Sequence, residues 1–347
     1  MKRLWAAAAL WMAGAAVAQP AEVPSWRAIR NCAACHPGQA RPHPATSMAH
    51  AIESVSECAI LEAHPVLAFS AGQYSYRIER KGSQSIYSVS DGEQTFTTPL
   101  AWAFGLGAAG QTYVFDKDGA FYQTRVSYYK EINGLDLTMG AANHKPVNLL
   151  DAAGQLMDRD EKVACFGCHA TNATLNKELT LATMTPGIQC ERCHGSAENH
   201  LKGIKLGDAK LAEMKKLKSL STEEISNFCG QCHRTWEQIA SGGKLGIVDI
   251  RFQPYRLTNS KCYDTDDARI SCLACHDPHR EVDKIDAHYD AKCQACHGGG
   301  NPKAVACKIA KQNCVGCHMP KLELPGSHNR FTDHQIRIVR ANESYPN

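Results

Sequence analysis

Cys272-Leu273-Ala274-Cys275-His276 is a string of the form CxxCH, and strings of this form occur seven times in the 347-residue chain. CxxCH is the signature of covalent c-type haem attachment, because two thiols three residues apart form thioethers with one porphyrin and the adjacent histidine binds its iron. We therefore expect seven covalently bound c-type haems. Their thioether cysteines would be Cys32, Cys35, Cys165, Cys168, Cys190, Cys193, Cys229, Cys232, Cys272, Cys275, Cys293, Cys296, Cys314 and Cys317, and their proximal iron ligands His36, His169, His194, His233, His276, His297 and His318.

Paired cysteines also occur in zinc sites and redox disulfides, so both alternatives have to be compared. Cys293 and Cys296, followed by Cys314 and Cys317, have the spacing of a zinc ribbon, and a CxxC pair is also the thioredoxin-type redox motif. Neither alternative requires a histidine directly after the second thiol in every copy, and neither explains an odd number of copies. The haem interpretation is therefore favoured.

The N-terminus has the pattern of a secretory signal. Lys2 and Arg3 precede an apolar stretch that ends in Ala16-Val17-Ala18, a small-residue cleavage site. The stretch is short for a membrane span, so an uncleaved anchor is the weaker interpretation. We expect cleavage near Ala18, a periplasmic or secreted protein and no stable membrane insertion, which agrees with haem attachment outside the bacterial cytoplasm.

The charge balance argues against a nucleic-acid partner, since the chain has 38 basic and 35 acidic residues. The densest basic run, Lys205 to Lys218, is interpreted first as a solvated helix face and second as a docking patch for an acidic partner. Seven haems in this length of chain leave too little polypeptide to enclose each ring in a conventional core. We therefore expect the porphyrins to supply much of the apolar interior.

A long gap between the first two strings divides the chain. Between 72 and 140 the residues alternate as in β-strands, and Asp116-Lys117-Asp118-Gly119 has the composition of a hairpin turn. We predict a mostly irregular and α-helical multihaem cytochrome c fold with stacked haems, and a small antiparallel β insert in the N-terminal half. The predicted segments are a signal peptide (1–18), an N-terminal haem segment with one CxxCH (19–71), the β-rich insert (72–140) and a six-haem helical and loop domain (141–347).

Two local patterns predict helices between the third and fourth strings. Asp208 to Leu220 is amphipathic at helical spacing. Ser221 with Glu224 three residues later resembles a capping box, which would begin a helix that leads to Cys229.

Each six-coordinate iron needs a second ligand, so the histidines outside the strings bear on function. Nine of the 16 histidines lie outside the strings, two more than seven irons need. This surplus favours bis-histidine ligation, and hence electron transfer, over catalysis at an open iron. His43, between two prolines, and His144 are weaker candidates, and Met48 is an alternative, softer ligand. The predicted distal ligands are His50, His64, His200, His279, His288, His328 and His334.

Cys58, Cys262 and Cys307 lie outside the strings. An oxidising compartment permits a disulfide, and we prefer Cys262–Cys307 because both residues lie in the C-terminal half. Cys58 would then be buried and inert, or would pair between chains.

Several stretches around the strings carry a resemblance to a known family: Gly187–Gly195, Cys272–His279, Cys314–Lys321 and Phe331-Thr332-Asp333-His334. They resemble exported bacterial multihaem cytochromes c with a doubled CxxCH domain of the cytochrome c-552/4 type. The resemblance covers most of the chain, including Arg251–Leu257 and the stranded insert. It implies a haem-stacking protein with His200, His279, His328 and His334 as far-side ligands.

The leading functional hypothesis is a periplasmic or extracellular electron carrier that passes electrons along closely spaced haems from a membrane donor to a downstream acceptor. The second is a multihaem reductase for nitrite, hydroxylamine or a sulfur compound, with one open catalytic haem. Pentahaem nitrite reductases mark that haem with a lysine in place of the motif histidine, and none of the seven strings has this change. The third is a self-associating subunit of a conducting filament. The sequence favours the carrier and leaves enzymatic activity open.

Overall fold

The structure, a computed structural model, describes residues 32–243, 245–298 and 305–346. The predicted signal peptide lies outside the described residues. The largest element is an antiparallel sheet of nine strands: β1 (Ile52–Ser54), β2 (Val66–Ala71), β3 (Tyr74–Lys81), β4 (Gln84–Ser90), β5 (Thr95–Phe104), β6 (Gln111–Lys117), β7 (Ala120–Tyr129), β8 (Gly134–Leu137) and β9 (Gly154–Leu156). Its main path runs from β2 to β8 in chain order, while β1 pairs with β5 and β9 pairs with β7.

The alternation of the sequence explains these strands. In β3, Tyr74, Tyr76 and Ile78 are buried, and the residues between them are exposed. Strands β6 and β7 are joined by Asp118 and Gly119, whose φ angles of 57° and 83° are those of a two-residue hairpin turn that matches the twist of the sheet. The predicted hairpin is therefore confirmed.

The buried face of the sheet encloses the main hydrophobic core. Phe115 and Tyr87 are fully buried there, and the ring of Phe115 stacks on that of Tyr122 with centroids 5.2 Å apart. Two short helices, Ala59–Ala63 and Leu149–Ala153, pack against the same core. Because each fully buried large apolar side chain contributes about 1.5–3 kcal/mol, the sheet has a substantial core of protein side chains.

A second, smaller core joins the sheet to a CxxCH string. Phe166 lies on helix Arg159–His169 and is fully buried. Its ring meets Trp102 and Phe104 of β5 edge-on, at 6.1 and 5.1 Å, and stacks on Phe121 of β7 at 5.8 Å. The second string is thus anchored to the sheet through one of its own intervening residues.

The prediction of a mostly irregular and α-helical fold with a small β insert is wrong. The sheet extends from Ile52 to Leu156, beyond 72–140 at both ends. Strands β2 and β5 were not recognised from the sequence because Pro65 directly precedes β2 and Pro99 lies within β5. A proline removes a backbone donor from the sheet and interrupts the expected pattern. The pairing of β5 with β6 also contains an irregularity at Leu100 and Trp102. The division of the chain into four segments stays a prediction.

Outside this sheet, the described residues form short helices joined by turns and small two-stranded sheets. The α-helices are Pro37–Ala40, Ala59–Ala63, Leu149–Ala153, Arg159–His169, Cys190–His194, Glu198–Leu206, Thr222–His233, Trp236–Ser241, Gln253–Thr258, Cys272–Cys275, Asp290–His297 and Cys314–His318. The small sheets pair β10 (Ala170–Thr171) with β13 (Thr185–Pro186), β11 (Thr174–Leu175) with β12 (Glu178–Leu179), and β14 (Lys321–Glu323) with β15 (Arg330–Thr332).

Helix Thr222–His233 begins at the predicted capping box. The Glu224 N–H donates to Ser221 Oγ at 3.2 Å, and the Ser221 N–H donates to the Glu224 carboxylate at 2.7 Å. The helix predicted over 208–220 does not form. The Asp208 carboxylate accepts the backbone N–H groups of Lys210 and Leu211 at 3.0 Å, so this local turn competes with helix formation.

Candidate haem-binding sites

In each of the seven strings the two cysteines lie within one helical turn. Residues 32–35 form the first turn. The others lie on Arg159–His169, Cys190–His194, Thr222–His233, Cys272–Cys275, Asp290–His297 and Cys314–His318. Residues three apart on a helix are neighbours on one face, so both sulfurs of a string face the same side. This local geometry suits two thioether bonds to one porphyrin.

Thiols of different strings lie next to each other. The neighbouring thiols are Cys32 and Cys190, Cys168 and Cys232, Cys229 and Cys272, and Cys293 and Cys314. The neighbouring thiol of Cys168 lowers the pKa of Cys232 below its ordinary value. A thioether sulfur carries no proton, so haem attachment would remove this titration and leave only the proximity. Strings therefore lie beside one another in space, including pairs that are not consecutive in the sequence.

Three proximal histidines face a predicted distal histidine. The pairs and their ring-centroid distances are His36–His200 (6.2 Å), His194–His279 (6.2 Å) and His276–His334 (6.3 Å). One iron bound to a nitrogen of each ring at about 2 Å, the usual length of a metal–imidazole bond, would hold the centroids about 6 Å apart. The side chains present therefore fit a bis-histidine iron at these three places.

The ring nitrogens of several histidines are engaged in a consistent way. A hydrogen bond donated by Nδ1 fixes the tautomer and leaves Nε2 available to a metal. The proximal histidines with this bond are His169 to Ala51 O (2.8 Å), His194 to Lys215 O (2.9 Å), His297 to Val305 O (2.8 Å) and His318 to Arg337 O (2.8 Å). The distal candidates with it are His200 to Ala212 O (2.5 Å), His279 to Asp277 (2.8 Å), His334 to Thr332 O (3.0 Å) and His288 to Asp283.

Three other predicted ligands use Nε2 in hydrogen bonds. The partners are Pro44 O for His50 (2.7 Å), Tyr128 Oη for His64 (3.1 Å) and the Asp136 carboxylate for His328 (2.7 Å). The weaker candidate His144 donates in the same way to Asp151 at 2.8 Å. Each of these side chains would have to exchange an existing hydrogen bond for iron.

His43 has a more prominent position than its sequence context suggested. It is 6% exposed, and its Nδ1 atom is buried without a hydrogen-bond partner. Burial lowers its pKa, and the nearby charge of His279 lowers it further. The neighbouring proline that argued against this residue forms the 3-10 turn His43–Ala45, and Thr46 Oγ1 donates to His43 O at 2.8 Å. A proline at this place thus shapes the turn that carries the buried imidazole.

Burial keeps several of the predicted proximal and distal imidazoles neutral. It lowers the pKa of His169, His233 and His276, and it lowers that of His334 to about 4. Removal from water disfavours the charged form of a histidine, and the neutral ring is the form that binds a metal. At neutral pH these side chains are therefore ready to bind iron.

The cysteines outside the strings do not form the preferred disulfide. Cys262 and Cys307 are both free thiols, and Cys262 lies near Cys293. Cys58 is fully buried and donates to Gln111 Oε1 at 3.2 Å. Of the two alternatives predicted for Cys58, the structure agrees with the buried thiol.

Comparison with known proteins gives two similarities. A profile of the family described as cytochrome c554 and c-prime matches residues 134–195, which contain the strings at Cys165 and Cys190. A multiheme cytochrome MtrA of Shewanella baltica (strain OS185) is 24% identical over 165 residues, which make up 46% of this chain and 41% of the relative. The match thus spans less than half of that relative's length. No solved structure matches the chain.

These similarities confirm the resemblance to multihaem cytochromes c. They support covalently bound c-type haem and electron transfer, the two properties common to such cytochromes. Within the described ranges, no helix is both long enough and apolar enough to cross a membrane.

Proposed function

We propose that this multihaem c-type cytochrome carries seven haems and transfers electrons through closely spaced, mainly bis-histidine irons in the periplasm or outside the cell. The observation that carries the proposal is the spacing of the three proximal–distal histidine pairs, at 6.2 to 6.3 Å between ring centroids. Unrelated histidines have no reason to share the separation that one iron between two imidazoles requires. An iron with both axial positions filled exchanges electrons without binding a substrate, which favours a carrier over a catalyst.

The contacts between strings support a continuous path. The first string lies beside the third, the second beside the fourth, the fourth beside the fifth, and the sixth beside the seventh. Cys193 of the third string is also near Cys232 of the fourth, and Cys275 of the fifth is near Cys293 of the sixth, so these groups of strings adjoin one another. When bound, the haems supply the one-electron chemistry. The chain's own residues hold neighbouring attachment points together, present neutral imidazoles and set the local charge.

The pairing assigns a distal ligand to three of the seven irons, and the other four need ligands from the remaining histidines. His288 comes first, because its Nδ1 is bonded to a carboxylate and its Nε2 is left for iron. His43 comes second, because it is buried with an unpartnered ring nitrogen. His50, His64 and His328 stay candidates, although each has its Nε2 in another bond.

The proposed partners are redox proteins, namely a membrane electron donor and a downstream acceptor. The exported location rests on the signal-peptide pattern and on the chemistry of haem attachment. Nothing in the charge balance of the chain calls for a nucleic acid.

The proposal is tested on the full chain secreted from a host with working cytochrome maturation. Intact-protein mass spectrometry should show seven added haems. Carbon monoxide titration of the reduced protein should then count the irons with an open position. His200→Ala should bind one more carbon monoxide per molecule than the wild type, because it removes the ring opposite His36.

His144→Ala is the matched control, since this imidazole is bonded to Asp151 and faces no proximal ring. It should bind no additional carbon monoxide. A haem count below seven, or equal carbon monoxide binding by the two variants, would contradict the proposal. An open iron in the wild type that also binds nitrite would favour the reductase alternative.

A further inference from the structure

A fully buried ion pair lies next to one of the assigned distal ligands. Arg256 and Asp333 are each 0% exposed. The guanidinium holds the carboxylate with two parallel bonds, from Nε to Oδ1 at 2.8 Å and from Nη2 to Oδ2 at 3.0 Å. The same carboxylate accepts from Arg337 Nη1 at 2.5 Å and from the Gln335 N–H at 3.0 Å. Asp333 is thus held from several directions at once.

Such a pair is a costly way to fill a core. Removing two charges from water costs more than their attraction returns unless further hydrogen bonds complete both groups, and apolar residues of similar volume are often no less stable. The two parallel bonds of an arginine with a carboxylate fix direction as well as distance. The pair therefore supplies a fixed orientation of Asp333. The residue next to Asp333 shows which group this orientation serves.

The residue beside the pair is His334. Its ring lies 6.3 Å from that of His276, and its Nδ1 donates to Thr332 O at 3.0 Å. The backbone is held on both sides of it. Before it, the Asp333 N–H donates to Pro320 O at 2.9 Å, and after it the His334 carbonyl accepts from Ser260 Oγ at 2.9 Å.

The Arg256 pair with Asp333 and the Ser260 bond to His334 both come from one short segment of the chain. Arg256 lies on helix Gln253–Thr258, and Ser260 follows that helix by two residues. The Ser260 hydroxyl also accepts the Ile336 N–H at 2.8 Å. A single segment therefore holds the stretch that follows β15 on each side of His334.

We propose that Arg256 is a positioning residue for axial ligation, which acts through Asp333 to hold His334 opposite His276. This inference rests on the proposed function, in which His334 is the distal ligand of the fifth haem. Arg256 itself contacts neither imidazole. Its role is to keep the imidazole of His334 at the distance and direction that the iron requires.

The test uses the holoprotein and three readouts: the high-spin ferric fraction by electron paramagnetic resonance, carbon monoxide bound per molecule after reduction, and the haem count by mass. His334→Gly should open one iron of the seven. Asp333→Asn and Arg256→Gln should open that same iron in a fraction of the molecules, and the haem count should be unchanged. Added imidazole should return the high-spin signal to the wild-type level in all three variants, because it replaces or reinforces the missing ligand.

Arg256→Lys should fall between Arg256→Gln and the wild type, since an ammonium keeps the charge but cannot make two parallel bonds. Arg340→Gln is the matched control, because its ion pair with Glu343 is exposed, at 69% and 52%. It should leave every readout unchanged. Ser260→Ala is the milder variant if the proteins with substitutions at Arg256 fail to fold. It should also open one iron in a fraction of the molecules.

The outcomes separate two failures. If His334→Gly opens one iron while the variants at Arg256, Asp333 and Ser260 stay fully low-spin, Arg256 has no positioning role and the ligand assignment survives. If His334→Gly leaves all irons low-spin, the pairing of His276 with His334 is wrong, and the role of Arg256 falls with it.

Discussion

Phe166→Ala should loosen the second CxxCH string from the sheet. Phe166 is one of the two residues between the cysteines of its CxxCH string. It is fully buried, and three aromatic rings surround it. Replacing a buried phenylalanine by alanine costs about 3–5 kcal/mol, and each aromatic pair adds about 0.5–1.5 kcal/mol. Since these contributions overlap, we expect the free energy of unfolding to fall by about 4–5 kcal/mol.

The assay is guanidinium denaturation of the holoprotein, followed by far-ultraviolet circular dichroism. The midpoint should fall while the slope with denaturant is unchanged, which is the mark of lost stability without a change in the surface exposed on unfolding. Leu273→Ala is the matched control. It removes a side chain at the same position of another string, and Leu273 is only partly buried. Its loss should be about 1–2 kcal/mol.

Equal losses in the two variants would refute this reasoning. The second core would then contribute little, and the string at Cys165 would not depend on the sheet. An unchanged haem count in both variants is required for the comparison, because a missing haem would destabilise the protein by itself.

Asp290→Asn should weaken the start of the last string's helix, because backbone N–H groups there donate to Asp290 and hold its pKa below the ordinary 3.8. The stabilisation by the Asp290 carboxylate is present above pH 3.8 and is lost as the pH falls through the lower pKa of the folded state. The difference in the free energy of unfolding between the variant and the wild type should therefore be full at neutral pH and vanish in strong acid. A difference that does not change with pH would contradict this. Asp277→Asn should raise the midpoint potential of the haem bound by His279 in a redox titration, since a carboxylate on Nδ1, here at 2.8 Å, strengthens an imidazole ligand; a lower potential would speak against this. Iodoacetamide should label Cys307, which is exposed and has its pKa lowered by backbone hydrogen bonds, before buried Cys58; peptide mapping that finds Cys307 protected would disprove it.

Local chemistry was enough to predict part of the fold. The hairpin at Asp118 and Gly119 was recognisable because a two-residue turn needs positive φ, which few residues adopt. The capping box at Ser221 was recognisable because two side chains and two backbone N–H groups must match at fixed spacing. The helix over 208–220 was wrong, since periodicity alone does not reveal that the Asp208 carboxylate binds the next N–H groups.

The extent of the sheet depended on long-range pairing. Strand β9 is three residues long and pairs with β7, whose partner residues lie about thirty positions earlier in the chain. No alternation can be seen in so short a segment. Strand β1 is equally short, and the hydrophobic contacts of Ile52 bring it to β5 and to Phe166. Tertiary packing, which a single sequence does not display, decides such strands.

The attachment cysteines and proximal histidines stay predictions, which rest on the need of haem chemistry for both thiols and the imidazole within one turn. The distal ligands are harder, since they are set by contacts between distant segments. The context of His200, His279 and His334 pointed to them, and the structure places each opposite a proximal ring. The sequence could not show that three other predicted ligands already use Nε2 in hydrogen bonds, because the partners of those bonds are not identifiable from the sequence.

The count of spare histidines therefore overstates how many ligands are available. If the chain binds seven haems and the three proposed pairs are correct, four irons remain for six histidines, and four of those six already use Nε2. Of the other two, His288 has its hydrogen bond at Nδ1 rather than Nε2, and His43 has a buried Nδ1 without a partner. If the proximity of the strings makes a path for electrons, the irons lacking a distal imidazole are the places where that path can meet a small molecule. The number of carbon monoxide molecules that the reduced wild type binds therefore counts its open irons. A value of zero favours an electron carrier, and a value above zero leaves room for a catalyst.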